Sequence, residues 1–334
     1  MMIREMTEQR EKEYMSPYAT LSIATRGRER PEPECDIRPV FQRDRDRILH
    51  SKSFRRLKHK TQVFLRPRGD HYRDRMTHTL EVSQVARTIT QALRLNESLA
   101  EAIAMGHDLG HTPFGHAGER VLNRLNPEGF VHSAQSVRVV ELLEKKGRGL
   151  NLTWEVRDGI ANHRTSGRPS TLEGRIVQLS DKIAYINHDI DDAERAGILP
   201  DGIPEEYTAV LGTTVRERLN TMIHDIVTHS QDQPVIRMST EVEEAMKGIR
   251  SFMFAHIYTN SIAKAEEGKA ENVIEELYRY YTRYPEKMPQ EYTDLMELRQ
   301  EPLARVVCDY ISGMTDQYIM AKFSEIFIPK AWQI

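Results

Sequence analysis

Cysteine is nearly absent from this 334-residue chain, Cys35 and Cys308 being its only two. Two thiols so far apart in sequence are too few for a disulfide framework or a cysteine-based zinc site, so any metal must rely on His and carboxylate ligands. Also missing is any run of about 18 uncharged apolar residues, which excludes a membrane-spanning helix. The stretch from Met1 to Tyr14 is crowded with Arg, Glu and Lys and has no apolar core of the signal-peptide kind, so a cytoplasmic location without membrane attachment is the expectation. No low-complexity tract and no fixed repeat is visible, which sets aside solenoids and arrays. What is present is an ordinary globular composition, 39% hydrophobic and 29% charged. The length suits one large domain or a core with an appended region.

The net charge of -3 conceals a basic span containing Arg55, Arg56, Lys58, His59, Lys60, Arg66, Arg68, Arg73 and Arg75. Such a span can face a polyanion, although a charge run by itself is more often a solvated surface.

Residues 1–37, with Pro17, Gly27, Pro31, Pro33 and many charges, read as an irregular N-terminal arm. A charged helix is expected from Val40 to about Leu57. Thr61 to Leu65, followed by Pro67 and Gly69, reads as a short strand entering a loop. Helices dominate thereafter, so the fold class expected is all-α with at most a short β-hairpin. Val82, Val85, Ala86, Ile89 and Leu93 recur at helical spacing, and Ala100, Ile103 and Ala104 lead toward His107 and Asp108, with Gly110 as a stop. Thr112 before Pro113 predicts an N-cap and first turn for a helix that places His116 and Glu119 on one side. A further helix is expected from His132 to Gly147. Leu172, Ile176, Leu179, Ile183, Ile186 and Ile190 trace a long buried stripe. Asp181, Tyr185 and Asp189 line one flank of that helix at i, i+4 and i+8, and buried charges there require partners. Residues 38–200 read as a core and 201–334 as a helical region associated with it, with segments such as Val242 to Ser261 and Val273 to Tyr284.

The residues that carry chemistry are His78, His107, Asp108, His111, His116, Glu119, His132 and Asp181. Any one of these histidines taken alone is more often a hydrogen-bonded structural residue than a ligand, and Glu119 alone is an ordinary first-turn carboxylate. Together, two imidazoles and two carboxylates from different helices can bind a divalent ion and leave positions open for water and a phosphate oxygen.

Four ordered blocks resemble the HD phosphohydrolase superfamily, and within it the bacterial dGTPase-like branch. They are Phe54 to Phe64 (FRRLKHKTQVF), Arg75 to Val82 (RMTHTLEV), His107 to Glu119 (HDLGHTPFGHAGE) and Asp181 to Tyr185 (DKIAY). The resemblance implies an HD-domain helical core in which His78, His107, Asp108 and Asp181 hold a divalent metal. Mg or Mn is the first expectation, and Fe, Co, Ni and Zn are compatible with such ligands. It also implies hydrolysis of deoxynucleoside triphosphates, dGTP or all four, at the α-phosphorus to deoxynucleoside and inorganic triphosphate. His116, Glu119, His132 and His111 match catalytic positions. Arg75 and Lys182 match phosphate contacts, Tyr185 a tyrosine under the deoxyribose, and Gln62 with Asp189 a pair on the 3′-hydroxyl. Arg250 and Tyr258, eight apart, fit no motif and stay outside the expected site. Members of the family form homo-oligomers, often tetramers or hexamers, with an activating dNTP at subunit contacts, and single-stranded DNA is a further expected partner.

The chain is shorter than the best-known bacterial dGTPase, which puts strict dGTP preference in doubt. An HD phosphodiesterase or nucleotidase would share the four metal-site residues but has no call on Gln62, His116, Glu119 and Tyr185 together. A nucleic-acid-binding regulatory protein with a vestigial metal site would use residues 55–75, and its binding would weaken steeply with salt.

Overall fold

Helical periodicity dominates the sequence, and the computed structural model, which describes residues 2–63, 65, 72–199, 202–258 and 266–330, is all-α among those residues. Within them no strand forms, and the two isolated backbone bridges join Arg28 to Thr153 and Thr61 to Asp74. No described helix is long and apolar enough to cross a membrane.

Three mutually packed helices form the platform for the site. Arg75–Ala92 starts at Asp74, whose carboxylate accepts the Thr77 amide, and buries Val82, Val85, Ala86 and Ile89. Glu97–Gly106 starts at the Asn96 cap and is apolar and buried along most of its length. Leu172–Arg195 starts at the Thr171 cap and buries Ile176, Leu179, Ile183, Ile186 and Ile190, the stripe expected from the sequence. Each such side chain contributes about 1.5–3 kcal/mol relative to exposure. The three helices therefore fix the side chains on their inner ends rigidly.

Several local expectations are corrected. The N-terminal arm begins with a helix, Ile3–Tyr14, because its charges pair: Arg4 meets Glu8 at 2.7 Å, and Glu11 accepts the amide and hydroxyl of Ser22. The helix expected from Val40 to Leu57 is two, Val40–Leu49 and Lys52–Arg56, because the Ser51 hydroxyl caps the second by accepting from the Phe54 amide. The strand from Thr61 is a single bridge, since the amide and hydroxyl of Thr61 donate to Asp316; Phe64, Arg66, Pro67, Arg68 and Gly69 lie outside the described residues. Glu97–Gly106 stops four residues before Gly110. Thr112 caps nothing, because its hydroxyl donates to the Gly115 carbonyl, and Phe114 at φ 61 starts the helix Gly115–Leu125. The helix at His132 is α-helical only to Arg138, then widens to a π segment, Val139–Leu143. There the returning chain takes its carbonyls: Leu150 donates to Val140 and Gly149 to Glu144, while Lys145 and Lys146 turn left-handed. The helix Thr240–Met253 likewise continues as a π segment, Phe254–Tyr258, and Ser261 lies outside the described residues.

Two hydrophobic clusters form, and they do not divide at residue 200. One unites Phe41 through Leu199 with Leu211, Met222, Ile249 and Ile257. The other joins Phe114, Val121, Leu122 and Phe130 to the C-terminal helices Glu267–Arg283 and Leu303–Ser312. The last helix, Asp316–Phe327, reaches back to the site: one Asp316 oxygen accepts the Phe114 amide at 3.0 Å and the other the Thr61 amide at 3.0 Å. Lys60 does the same in the other direction, its buried Nζ donating to the carbonyls of His111 and Ser312. Burial lowers the Lys60 pKa to about 7, with Arg56 and Arg75 adding to the effect.

Candidate metal centre and its surroundings

The chain brings His78, His107, Asp108 and Asp181 to one point. His78 lies in the first turn of Arg75–Ala92, His107 and Asp108 directly follow Glu97–Gly106, and Asp181 projects from Leu172–Arg195. Asp181 Oδ1 is 3.2 Å from His78 Nε2 and 4.0 Å from His107 Nε2. Asp108 Oδ1 is 3.5 Å from His107 Nε2, and its Oδ2 is 3.9 Å from His78 Nε2. Ligand atoms about 2.1 Å from one ion lie about 3 Å apart at right angles and about 4.2 Å apart across it, so the set fits a small divalent cation. The ring orientations fit too. His107 Nδ1 donates to the Ala104 carbonyl at 2.7 Å, leaving Nε2 with its lone pair, buried and without a hydrogen-bond partner. His78 Nδ1 is 2.8 Å from His188 Nε2; a proton shared there leaves His78 Nε2 free to bind.

Burial opposes charge on Asp108, but His107 and the Arg75 guanidinium overcome it and hold the carboxyl well below its ordinary range. Asp181 is brought down to about 2 against burial by its hydrogen bond with His78 and the nearness of His107. Arg75, expected at a phosphate, is committed within the protein: it donates to Asp108 Oδ2 at 2.6 Å and to the carbonyls of Thr61 and Gln62, both at 3.2 Å. Gly110 lets the segment after Asp108 press on the neighbouring helix, where a Cβ would stand 2.2 Å from the Ser136 amide nitrogen.

Beside this tetrad stand His111, His116, His132 and Glu119. The rings of His111 and His132 stack at 4.4 Å, and His111 and His116 meet edge-on at 5.2 Å. Glu119 accepts from His116 Nδ1 at 3.2 Å and from His132 Nδ1 at 3.0 Å. Burial penalises the Glu119 carboxylate, yet these hydrogen bonds hold it ionised far below its usual range. His116 is 68% exposed while His132 is buried.

A second wall comes from the long helix and the Thr240–Met253 helix with its π extension. Tyr258 donates to Asp189, and the Tyr185 hydroxyl, whose pKa burial raises, has Arg250 near enough to oppose that rise. Arg250 and Tyr258, which no motif had linked to Tyr185 and Asp189, stand beside them in the fold. Arg175 and Arg250 act with burial to lower the Lys182 pKa. Gln62 is buried, with Oε1 unpartnered. Part of the basic span is used inside the protein: Arg73 pairs with Glu81, Asp191 and Asp192, and Arg56 donates to the Gly313 carbonyl, while Arg55, Lys58 and His59 are exposed and Arg66 and Arg68 lie outside the described residues.

Two further histidines escaped the sequence reading. His188 contacts His78 and approaches Asp189 to 2.8 Å, off the hydrogen-bond line. Its position seven residues after Asp181, two turns along the same face, was the available signal. His163 Nε2 lies 3.1 Å from His132 Nε2, and nothing in the sequence marked it.

An HD domain matches residues 75–186, and a phosphohydrolase-associated domain matches residues 236–325. A deoxyguanosinetriphosphate triphosphohydrolase-like protein of Caldanaerobacter subterraneus is 57% identical over 99% of this chain and 98% of its own. The chain belongs to the dGTPase-like HD family. Dgtpase-like proteins so named from Desulfatibacillum aliphaticivorans and Clostridium perfringens are 47% and 50% identical, covering 98% and 99% of this chain and 99% of each relative. Among solved structures, a hypothetical protein of Aquifex aeolicus superposes with TM-score 0.47 at 18% identity, over 85% of this chain and 71% of that one. The buried His and Asp cluster of this dGTPase-like chain is a divalent metal site.

Proposed function

We propose that the chain hydrolyses deoxynucleoside triphosphates at the α-phosphorus, releasing deoxynucleoside and inorganic triphosphate. The observation that carries this reading is the exposed His116, held by Glu119, next to the buried His78, His107 and Asp108 and the half-buried Asp181. A divalent ion in that cluster, Mg or Mn first among the candidates, supplies Lewis-acid polarisation of a phosphoryl oxygen and lowers the pKa of bound water.

The departing 5′ alkoxide is a strong base and needs a proton as its bond breaks. His116 would give it from Nε2, because Glu119 engages Nδ1 and orients the ring toward open space. His111 and His132 back this group from within. Arg75 keeps Asp108 ionised and aimed at the metal site, so we assign it this role ahead of a phosphate contact. Arg175 and Arg250 lie close enough to Lys182 to join burial in disfavouring its charge, an arrangement a triphosphate relieves. Tyr185 would pack under the sugar and exclude a 2′-hydroxyl, while Gln62 and Asp189, the latter held by Tyr258, would meet the 3′-hydroxyl. The named relatives support the nucleotide class.

The test is incubation of the purified protein with each dNTP and with their mixture, in Mg or Mn, with chromatography of the products. Inorganic triphosphate that disappears in Asp108→Ala is the expected result. Monophosphate, pyrophosphate or no product at all under these conditions would overturn the reading.

A further inference from the structure

Two segments outside the platform helices carry site residues, Lys60 to Gln62 and His111 to His116. They meet closely, since a Cβ on Gly115 would stand 3.2 Å from the Gln62 carbonyl oxygen. At that meeting point the second segment is strained: Phe114 stands left-handed at φ 61, with Gly115 after it at φ 58. Such a conformation is costly for a residue with a side chain and persists only where the surroundings impose it.

What imposes it comes from far along the chain. Asp316, buried at the start of Asp316–Phe327, offers Oδ2 to the amide and hydroxyl of Thr61 and Oδ1 to the amide of Phe114, both amides at 3.0 Å. Phe114 has no side-chain acceptor with which to cap the helix Gly115–Leu125, and the Asp316 carboxylate brings the negative charge that this helix end favours. Lys60 repeats the link in the other direction, donating Nζ to the carbonyls of His111 and Ser312. Both segments are thus pinned to the C-terminal helices, and to each other through one carboxylate.

Thr61 directly precedes Gln62, and Phe114 stands one residue short of Gly115 and His116. We propose that Asp316 is a positioning residue of the site, its two oxygens fixing Gln62 and His116 in register with one another. The proposal deepens the reaction given above and rests on it for the roles of these two residues: one meets the 3′-hydroxyl, and the other the leaving 5′ oxygen of the same sugar. Because both oxygens belong to one deoxyribose, their protein partners must keep a set separation, and two hydrogen-bonded arms of a single planar group supply it. Asp316 acts through Thr61 and Phe114 rather than by contact with the substrate.

Asp316→Ala and Asp316→Asn are compared with the unaltered protein, using the dNTP it hydrolyses fastest and the 2′,3′-dideoxy counterpart. Asp316→Ala frees both segments. Its kcat should fall by about 10²-fold, as a misplaced catalytic group costs. Its preference for the 3′-hydroxyl substrate, taken as a ratio of kcat/KM, should fall by about five- to tenfold, the worth of one hydrogen bond. Asn keeps one acceptor oxygen, and Thr61 offers it two donors against one from Phe114, so Asp316→Asn should retain the 3′-hydroxyl preference and lose kcat. Mn affinity, measured by electron paramagnetic resonance, should match the unaltered protein in both, which a general loss of structure would not permit. Unchanged kcat and preference in Asp316→Ala would overturn the proposal, as would Mn binding lost in step with activity. Crystals of Asp316→Ala give a readout without turnover: Gln62 and His116 should be displaced relative to His78 and Asp108, and an unmoved pair would overturn the proposal. If the unaltered protein releases no triphosphate, the reaction falls, and that displacement alone decides whether Asp316 positions the two side chains.

Discussion

Glu119 is the residue on which the proposed chemistry turns, since one carboxylate holds the exposed His116 and the buried His132. Replacing it by Gln keeps the shape but removes the charge that keeps protons on both Nδ1 atoms. Glu119→Gln should lower kcat by about 10²–10⁴ while the ion count at His78, His107, Asp108 and Asp181 stays unchanged. Steady-state kinetics with parallel metal analysis checks this, and near-normal kcat would remove His116 from the acid role. At this scale much was legible in the sequence. His78, His107, Asp108 and Asp181 were singled out because they fall in ordered blocks on strongly periodic helices, and their side chains do come together in the fold. His163 was not, because it lies just past a helix end and its partner, His132, is distant in sequence. Tyr258 was set aside because its spacing from Asp189 says nothing until the π segment brings it there.

Among elements, the link between Lys60 and the C-terminal helix Leu303–Ser312 has a pH signature. The folded pKa of Lys60 is about 7 against an ordinary 10.5, so between these values the unfolded chain holds a proton that the folded chain releases. Stability therefore rises with pH across that window, by up to about 1.4 kcal/mol per unit from this group, and this group adds no slope below its lower edge. Denaturant unfolding at pH 7 and pH 9 should show the rise, and Lys60→Met should flatten it. Equal pH dependence in both proteins would remove Lys60 as its source. The long helix Leu172–Arg195 was readable because its stripe spans many turns. The irregular elements were not: the π segment Val139–Leu143 depends on the returning Gly149 and Leu150, and the N-terminal helix on charges that find each other only in the fold.

For the whole molecule, the metal site is a keystone between helices that come from distant parts of the chain. The buried Asp108 and the half-buried Asp181 bring two carboxylates beside His78 and His107, and a divalent ion that binds only the folded chain stabilises it. At a concentration one hundred times its Kd the gain is about 2.7 kcal/mol. Calorimetry of chelated and Mn-loaded protein should show Tm rising with Mn, and the rise should vanish in Asp181→Ala. An unchanged Tm on loading would argue against occupancy of this cluster.

The single carboxylate of Asp316 that accepts amides from both Thr61 and Phe114 ties two loops, far apart in sequence, to the last helix. Their amide protons can reach solvent deuterium only when that helix lets go, so both should exchange at a common rate set by one opening event. In Asp316→Ala the two should speed up together, while the amide of Leu99, tied to its own Asn96 cap, keeps its pace.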